Sequence, residues 1–305
     1  MGGGSISDQI RADSKYDLLS LYHDNDSDSE EDDSPFRSGN IKCEYYEPDL
    51  YLNKVNHIPS CNSYFHLNCR GITANWGSWV ELMCNLNTNT FSFDCIGISE
   101  LYQCAHDTRV HLPGYHNIIT RCRDDGFRGG VGLFVKDKIE YKIRNDLSVF
   151  IAHVFESLFI EIDYSPTCKQ VIGVIYRPNT APMADIDIFS STLFEIMDIV
   201  NFENKHCIIM GDMNIDFLKY NSDNKSNEYL DDIIAHGFLP IISIPTRVVK
   251  QSATLIDHIY TNRPTNIHKP GVILTDVSDH YGIATLIIDL NKLPSSTLDI
   301  FQKLI

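Results

Sequence analysis

The chain has no apolar run approaching the roughly 18 residues that span a bilayer; its longest, such as Val171–Tyr176 and Cys207–Met210, are strand-sized and stop at polar or glycine residues. Basic charge is scarce as well. With 25 Lys and Arg against 41 Asp and Glu, the net charge is -16, which excludes a protein that holds nucleic acid mainly through a broad basic surface. The amino terminus lacks the basic patch and apolar stretch of a secretory signal, and Ile6 stands where an N-myristoylation pattern wants Ser or Thr. The 9 cysteines are odd in number and show neither Cys-x-x-Cys nor zinc spacing. Buried reduced thiols are therefore expected in place of a disulfide frame or a zinc site. No membrane association is expected, and the expected compartment is intracellular, nuclear or cytoplasmic.

What charge there is lies unevenly. The first 60 residues hold 13 acidic and 5 basic residues, half of the net negative charge. Asp24 to Asp33 is an almost unbroken acidic run with no apolar residue, so residues 1–40 are expected to form a disordered acidic tail. Ser27 and Ser29 within it are flanked by acids and can be read as phosphorylation sites or as part of a plain solubilising tail. Residues 41–63 mix tyrosines with Pro48 and Pro59 and read as a loosely ordered lead-in. Residues 64–290 read as one folded domain, and 291–305 as its exit or a linker.

Within the domain, short β-branched and aromatic runs alternate with Gly, Pro, Asn and Asp turns. Strands are expected at Tyr64–Cys69, Cys95–Ser99, Val131–Val135, Leu158–Ile162, Val171–Ile175, Cys207–Met210, Leu255–Tyr260, Val272–Leu274 and Ile283–Ile288. Apolar residues at three- and four-residue spacing predict helices over Trp76–Leu86, Ile186–Val200 and Glu228–His236. Strands that outnumber helices, with the two mixed along the chain, predict an α/β fold of two packed sheets with helices outside.

Polar groups with chemistry recur where these strands end. Cys207–Met210 runs into Gly211-Asp212-Met213-Asn214, and Asn68 and Glu100 follow two further strands. A local turn explains each alone; their shared position on strand ends favours a site. Asp257 sits among aliphatics, where a carboxylate needs a partner, and Ser278-Asp279-His280 supplies an imidazole. Such a pairing fixes the tautomer and favours the charged ring. Glu100 and Asp279 offer the carboxylate oxygens that a hard cation such as Mg2+ or Mn2+ prefers. A polarised phosphoryl oxygen, an activated water and a stabilised leaving oxygen are then all within reach of the set. Arg121, Arg123 and Arg128, with Lys136, Lys138 and Lys142, form the most basic stretch of the domain, readable equally as a contact to nucleic-acid backbone or as a solvated hairpin face.

The ordered set Asn68, Glu100, Tyr176-Arg177-Pro178, Gly211-Asp212-Met213-Asn214, Leu255-Ile256-Asp257-His258 and Ser278-Asp279-His280 resembles the endonuclease/exonuclease/phosphatase superfamily. The phrasing of Arg128-Gly129-Gly130-Val131-Gly132-Leu133, of Pro245-Thr246-Arg247 and of Thr254-Leu255-Ile256-Asp257 is most similar to the endonuclease domains of non-LTR retrotransposons. The resemblance implies a four-layer α/β sandwich of two mixed β-sheets flanked by helices. By similarity, Glu100 and Asp279 ligate the metal, and Asn68, Asn214, Tyr176 and His280 contact the scissile phosphate. Asp257 orients His280, and Asp212 activates water or protonates the leaving oxygen, with the duties of Asp212 and His280 exchangeable. Arg70 departs from the pattern: the apurinic endonucleases carry an acid two residues after the asparagine. Cys104 and His106 lie in a region without a family signature.

The expected function is a Mg2+- or Mn2+-dependent endonuclease that nicks DNA and leaves a 3′ hydroxyl. Its expected state is a monomer, working beside a reverse transcriptase module of a parent element. Two alternatives remain on the residues alone: the same fold acting on a small phosphorylated substrate or RNA, and an inactive retroelement-derived binding module.

Overall fold

The computed structural model describes residues 42–288 apart from 56–60, 88–90, 103–109, 124–127, 166–167, 180–184, 251 and 264–266. The acidic tail, Ser27, Ser29, Cys104, His106 and residues 291–305 lie outside the described residues.

The elements run β1 (Glu44–Tyr46), α1 (Pro48–Val55), β2 (Cys61–Asn68), α2 (Trp76–Leu86), β3 (Cys95–Ser99), β4 (Ile119–Arg121), β5 (Val131–Val135), β6 (Tyr141–Ile143), β7 (Phe150–Ile151), β8 (Phe155–Ser165) and β9 (Cys168–Tyr176). They continue with α3 (Asp185–Phe202), β10 (His206–Asp212), α4 (Asn224–Ala235), β11 (Leu239–Pro240), β12 (Arg247–Val249), β13 (Ser252–Thr254), β14 (Asp257–Thr261), β15 (Ile267–Ile273) and β16 (Gly282–Ile288). One sheet has the order β1-β15-β16-β2-β3-β5-β4; the other is β11-β14-β10-β9-β8-β6, with β7 paired to β8. Both are mixed, since β2 with β3 and β9 with β10 run parallel among antiparallel neighbours.

Alternation along β2 shows how the layers arise. Phe65 and Leu67 pack with Trp79, Leu82, Met83 and Leu86 of α2 and with Tyr51, Leu52 and Val55 of α1. Tyr64 and Asn68 face the other way, bonding Gln170 of β9 and Asp212 of β10. On the far side, α3 turns Ile186, Phe189, Leu193, Ile196, Met197 and Val200 to the second sheet, and α4 adds Tyr229, Leu230 and Ile233. Helices, sheet, sheet and helices make the four expected layers. No helix among the described residues is long and apolar enough to cross a membrane.

Sequence and structure part company in the lead-in. Residues 41–63, expected as loosely ordered, contribute an edge strand parallel to β15 and a helix that opens on Pro48. Proline is tolerated in that first turn, and Tyr51, Leu52 and Val55 form the buried stripe that holds the helix down. The strand expected at Leu255–Tyr260 begins only at Asp257, while α4 starts at Asn224, four residues before the expected Glu228, because the Asp223 side chain accepts from Ser226 N at 3.0 Å. Among the described residues, Cys43, Cys69, Cys95 and Cys207 are buried free thiols, as expected, whereas Cys61 and Cys122 are half-buried and Cys84 is exposed.

The two sheets meet closely at β3 and β10. A Cβ on Gly97 would lie 3.0 Å from Met210 Cε; within the second sheet, one on Gly211 would collide with the carbonyl oxygen of Ile175 on the paired β9. The first obstacle is a flexible side chain, the second is backbone. Gly211→Ala is therefore expected to destabilise the fold by ~3 kcal/mol or more, beyond ordinary overpacking. Urea unfolding checks this; a midpoint unchanged from wild type would refute it.

Candidate active site

β14 runs antiparallel to β10 and β16 antiparallel to β2. The ends of β2, β3, β9 and β10 therefore share one rim with the starts of β14 and β16. Asn68, Tyr176 and Asp212 are the last residues of their strands, Glu100 follows β3, Asp257 opens β14 and His280 stands just before β16. The rim carries backbone strain. Arg70, Glu100 and Tyr102 have φ of 46°, 53° and 62°, a left-handed conformation rarely held by such side chains unless the surroundings fix it; Asn214, of a type that adopts it readily, has 49°.

Asn68 ties two carboxylates together: its Nδ2 donates to Asp212 Oδ2 at 2.8 Å and to Glu100 Oε1 at 3.0 Å. Its Oδ1 accepts from Arg70 N at 3.1 Å, which fixes the amide's orientation. Glu100 Oε1 also accepts from the Tyr176 hydroxyl at 3.0 Å, and Oε2 from the Tyr102 hydroxyl at 2.8 Å. Burial first, and the neighbouring acids next, hold Tyr176 well above the usual phenol range, so it stays a donor. Asn214 N donates to Asp212 Oδ1 at 3.1 Å, while the Asn214 amide donates to Arg177 O at 2.7 Å.

The second half is a buried acid-imidazole pair. His280 Nδ1 and Asp257 Oδ2 are 2.9 Å apart, and the Thr246 hydroxyl donates to the same oxygen at 2.7 Å. Ser278 Oγ accepts from His280 N at 3.1 Å and donates to Asn68 O at 2.6 Å, locking this loop to β2. Desolvation alone would make the ring neutral; Asp257, Asp212 and Asp279 reverse it and push the His280 pKa up to about 9. Asp257 moves down, because attraction and the direct bond from His280 outweigh its own burial. Asp212, equally buried, moves up to about 7 through desolvation and repulsion by Asp257. The two acids diverge because the imidazolium is bonded to Asp257. One side chain is thus poised near neutrality and another stays cationic, an arrangement suited to moving one proton while stabilising negative charge.

Ligand atoms of Asp212, Asp257 and His280 lie within 4.8 Å of one another, close enough to surround one metal ion. A ring protonated up to about pH 9 is a poor ligand, however, and its Nδ1 already bonds Asp257. Glu100 fits better. Among the described residues it has only neutral donors, so its charge remains open to a hard cation. Asp279, expected beside it as a ligand, has both oxygens held by guanidiniums: Arg70 Nη1 at 2.8 Å from Oδ1, and Arg247 Nη2 at 2.6 Å from Oδ2.

The structure thus gathers Asn68, Glu100, Tyr176, Asp212, Asp257 and His280, and turns Asp279 toward the arginines. Sequence reasoning missed Thr246 as the donor to Asp257, although a buried carboxylate demands one. His66 is a second buried group near this pair, on β2. That ring is fully buried with no hydrogen-bond partner for either nitrogen among the described residues, and burial pushes its pKa down to about 4 despite Asp257 nearby. The expected basic stretch is partly spent inward: Arg121 bonds Ser148 O, and Arg123 pairs with buried Glu156 at 2.5 Å.

The model of the Endonuclease/Exonuclease/phosphatase family matches residues 65–280, from the middle of β2 to His280. The chain belongs to this family. No curated protein sequence is a significant match. Solved structures with the family's fold include the endonuclease domain of TRAS1, a telomere-specific non-LTR retrotransposon, at a TM-score of 0.54 and 13% identity over 75% of this chain and 98% of that one. The catalytic domain of Xenopus laevis APE2 is similar at a TM-score of 0.54 and 16% identity, covering 74% of this chain and 91% of that one. A mannosyl-6-phosphatase of Bacteroides thetaiotaomicron reaches 0.52 and 16% over 75% of this chain and 100% of that one. At such identities these likenesses speak for the fold, and the substrate has to be argued from the site.

Proposed function

We propose that this protein is a metal-dependent phosphodiesterase that nicks DNA, of the kind carried by non-LTR retrotransposons beside a reverse transcriptase module. The observation that carries the reading is the buried Asp257–His280 pair facing Asp212, bridged through Asn68 to Glu100. A Mg2+ or Mn2+ ion at Glu100 would polarise a nonbridging phosphate oxygen.

The side chains divide the remaining work. Asp212, with its pKa near 7, takes a proton from water as the water oxygen bonds to phosphorus. His280, oriented by Asp257, stays protonated and faces the charge that develops on phosphorus. The bond from phosphorus to the 3′ oxygen breaks, and that oxygen takes a proton from the imidazolium to leave as a 3′ hydroxyl. Asn68 and the Tyr176 hydroxyl, both bonded to Glu100, would exchange a bond to that carboxylate for one to the phosphate, and Asn214 flanks them from its left-handed turn. The divergent acidities favour Asp212 as the base and His280 as the acid, a choice that residue types alone leave open.

Incubation with supercoiled plasmid tests the reading. Nicked circles that a polymerase extends are expected with Mg2+, and none with a chelator. Glu100→Gln should require at least ~10–100-fold more metal, the loss known for weaker perturbations of metal sites. Turnover of sugar phosphates in place of plasmid would move the protein among the phosphatases of its family. DNA binding without any turnover would make it a binding module.

A further inference from the structure

Asp279 joins three separate segments of the chain. Arg70 follows β2, Arg247 opens β12, and Asp279 lies on the connection between β15 and β16. Arg70 reaches Oδ1 through Nη1 alone, whereas Arg247 grips Oδ2 through Nε at 2.7 Å and Nη2 at 2.6 Å. Two guanidiniums on one carboxylate leave a surplus positive charge. Among the described residues, Arg70 Nε and Nη2 and Arg247 Nη1 make no hydrogen bond. Both side chains are substantially exposed, at 46% and 32%, with Asp279 at 23% between them.

This charge is unusual in its setting. The chain carries a net -16, and Arg121 and Arg123 of its most basic stretch turn inward. The arginine pair is open, and it adjoins the site on two sides. Arg70 N holds Asn68 Oδ1, and Asp279 precedes His280 in the chain.

We propose that Asp279 splints Arg70 and Arg247 into a fork that binds a second phosphate group, one removed from the phosphate being cut. The substrate is then a chain of phosphodiesters, and an isolated phosphate ester leaves the fork empty. The inference rests on the phosphodiesterase reading above. Planar guanidiniums match phosphate oxygens two at a time, and a carboxylate that already fixes them reduces the ordering lost on binding. A phosphodiester's single negative charge neutralises the fork's surplus. Such a contact sets the register of the strand without reading its sequence.

The test uses the full chain, a fluorescent double-stranded oligonucleotide titrated in chelator across a range of salt, and bis(p-nitrophenyl) phosphate, a diester with no neighbouring phosphate. Arg70→Ala and Arg247→Ala should each weaken oligonucleotide binding by ~10-fold or more, as expected for a charged hydrogen bond, and lower the salt slope by about 1. On the small diester kcat/KM should fall far less than oligonucleotide affinity, because only the influence of Asp279 on His280 changes there. Arg70→Lys should keep the slope and lose affinity, because the charge remains and the fork does not. Equal losses on both substrates, or an unchanged slope, would overturn the fork while plasmid nicking by wild type still upheld the phosphodiesterase reading. A wild-type chain that neither binds nor cuts DNA would overturn both.

Discussion

Asp212→Asn is expected to lower the turnover number for plasmid nicking by about 10²–10⁴-fold, the usual contribution of a general base, while oligonucleotide affinity stays unchanged. The substitution keeps an acceptor for only one of Asn68 Nδ2 and Asn214 N, which bond different oxygens of Asp212, and it removes a carboxylate whose acidity sits near neutrality. It should also stabilise the protein at alkaline pH. Asp212 has a folded pKa of about 7 against 3.8 for the free group, so between those values the unfolded chain binds fewer protons. Stability attributable to this residue therefore falls as pH rises through that window, and the full penalty holds above it. Attraction to His280 opposes the penalty, but burial and repulsion by Asp257 are larger. Asparagine escapes the ionisation altogether. A variant less thermostable than wild type above pH 7, or one that retains its turnover, would show that Asp212 is structural. A gain in stability bought with lost turnover is the expected mark of an active-site acid.

The parts legible in the sequence are those where apolar content forces one answer. β3, β5 and α2 fall where expected because every position in the strands is buried and the helix shows one buried stripe. Short strands such as β4, β6, β7 and β11 span only two or three residues, too few to set a period, and they form because longer neighbours offer open backbone groups. The candidate site is legible as a list of strand-end polar residues, since each has an unusual chemistry for its place. Its partners are not. Nothing in the local sequence indicates that Asp279 meets Arg70, 209 residues away, or that Thr246 serves Asp257. The order of acidities was also hidden, because it depends on which of two buried carboxylates bonds His280, a matter of tertiary placement alone.

Asp257→Ala tests that placement. Without Asp257, His280 keeps its desolvation and loses its main attraction and its direct bond, so its pKa should fall back toward or below 6.5. At neutral pH the ring is then neutral and unable to protonate the leaving oxygen, and turnover should drop by about 10²–10⁴-fold. Breaking one side of a buried ion pair should also destabilise the fold by ~3–5 kcal/mol. The sign of the pH dependence follows from both partners. His280 has its pKa raised from 6.5 to about 9, so its contribution is complete below 6.5 and lost as pH rises through 9. Asp257 has its pKa depressed from 3.8, so its contribution holds above 3.8 and fades as pH falls through the lowered value. The gap between wild type and Asp257→Ala should therefore be widest between 3.8 and 6.5 and narrow above 9. Urea unfolding on both sides of that range measures it. Asp257→Ala/His280→Ala leaves no charge stranded, so its loss should be smaller than the sum of the two single losses. Additive losses, or a gap that ignores pH, would mean that the 2.9 Å contact joins neutral groups, and the proton would have to be held elsewhere in the site.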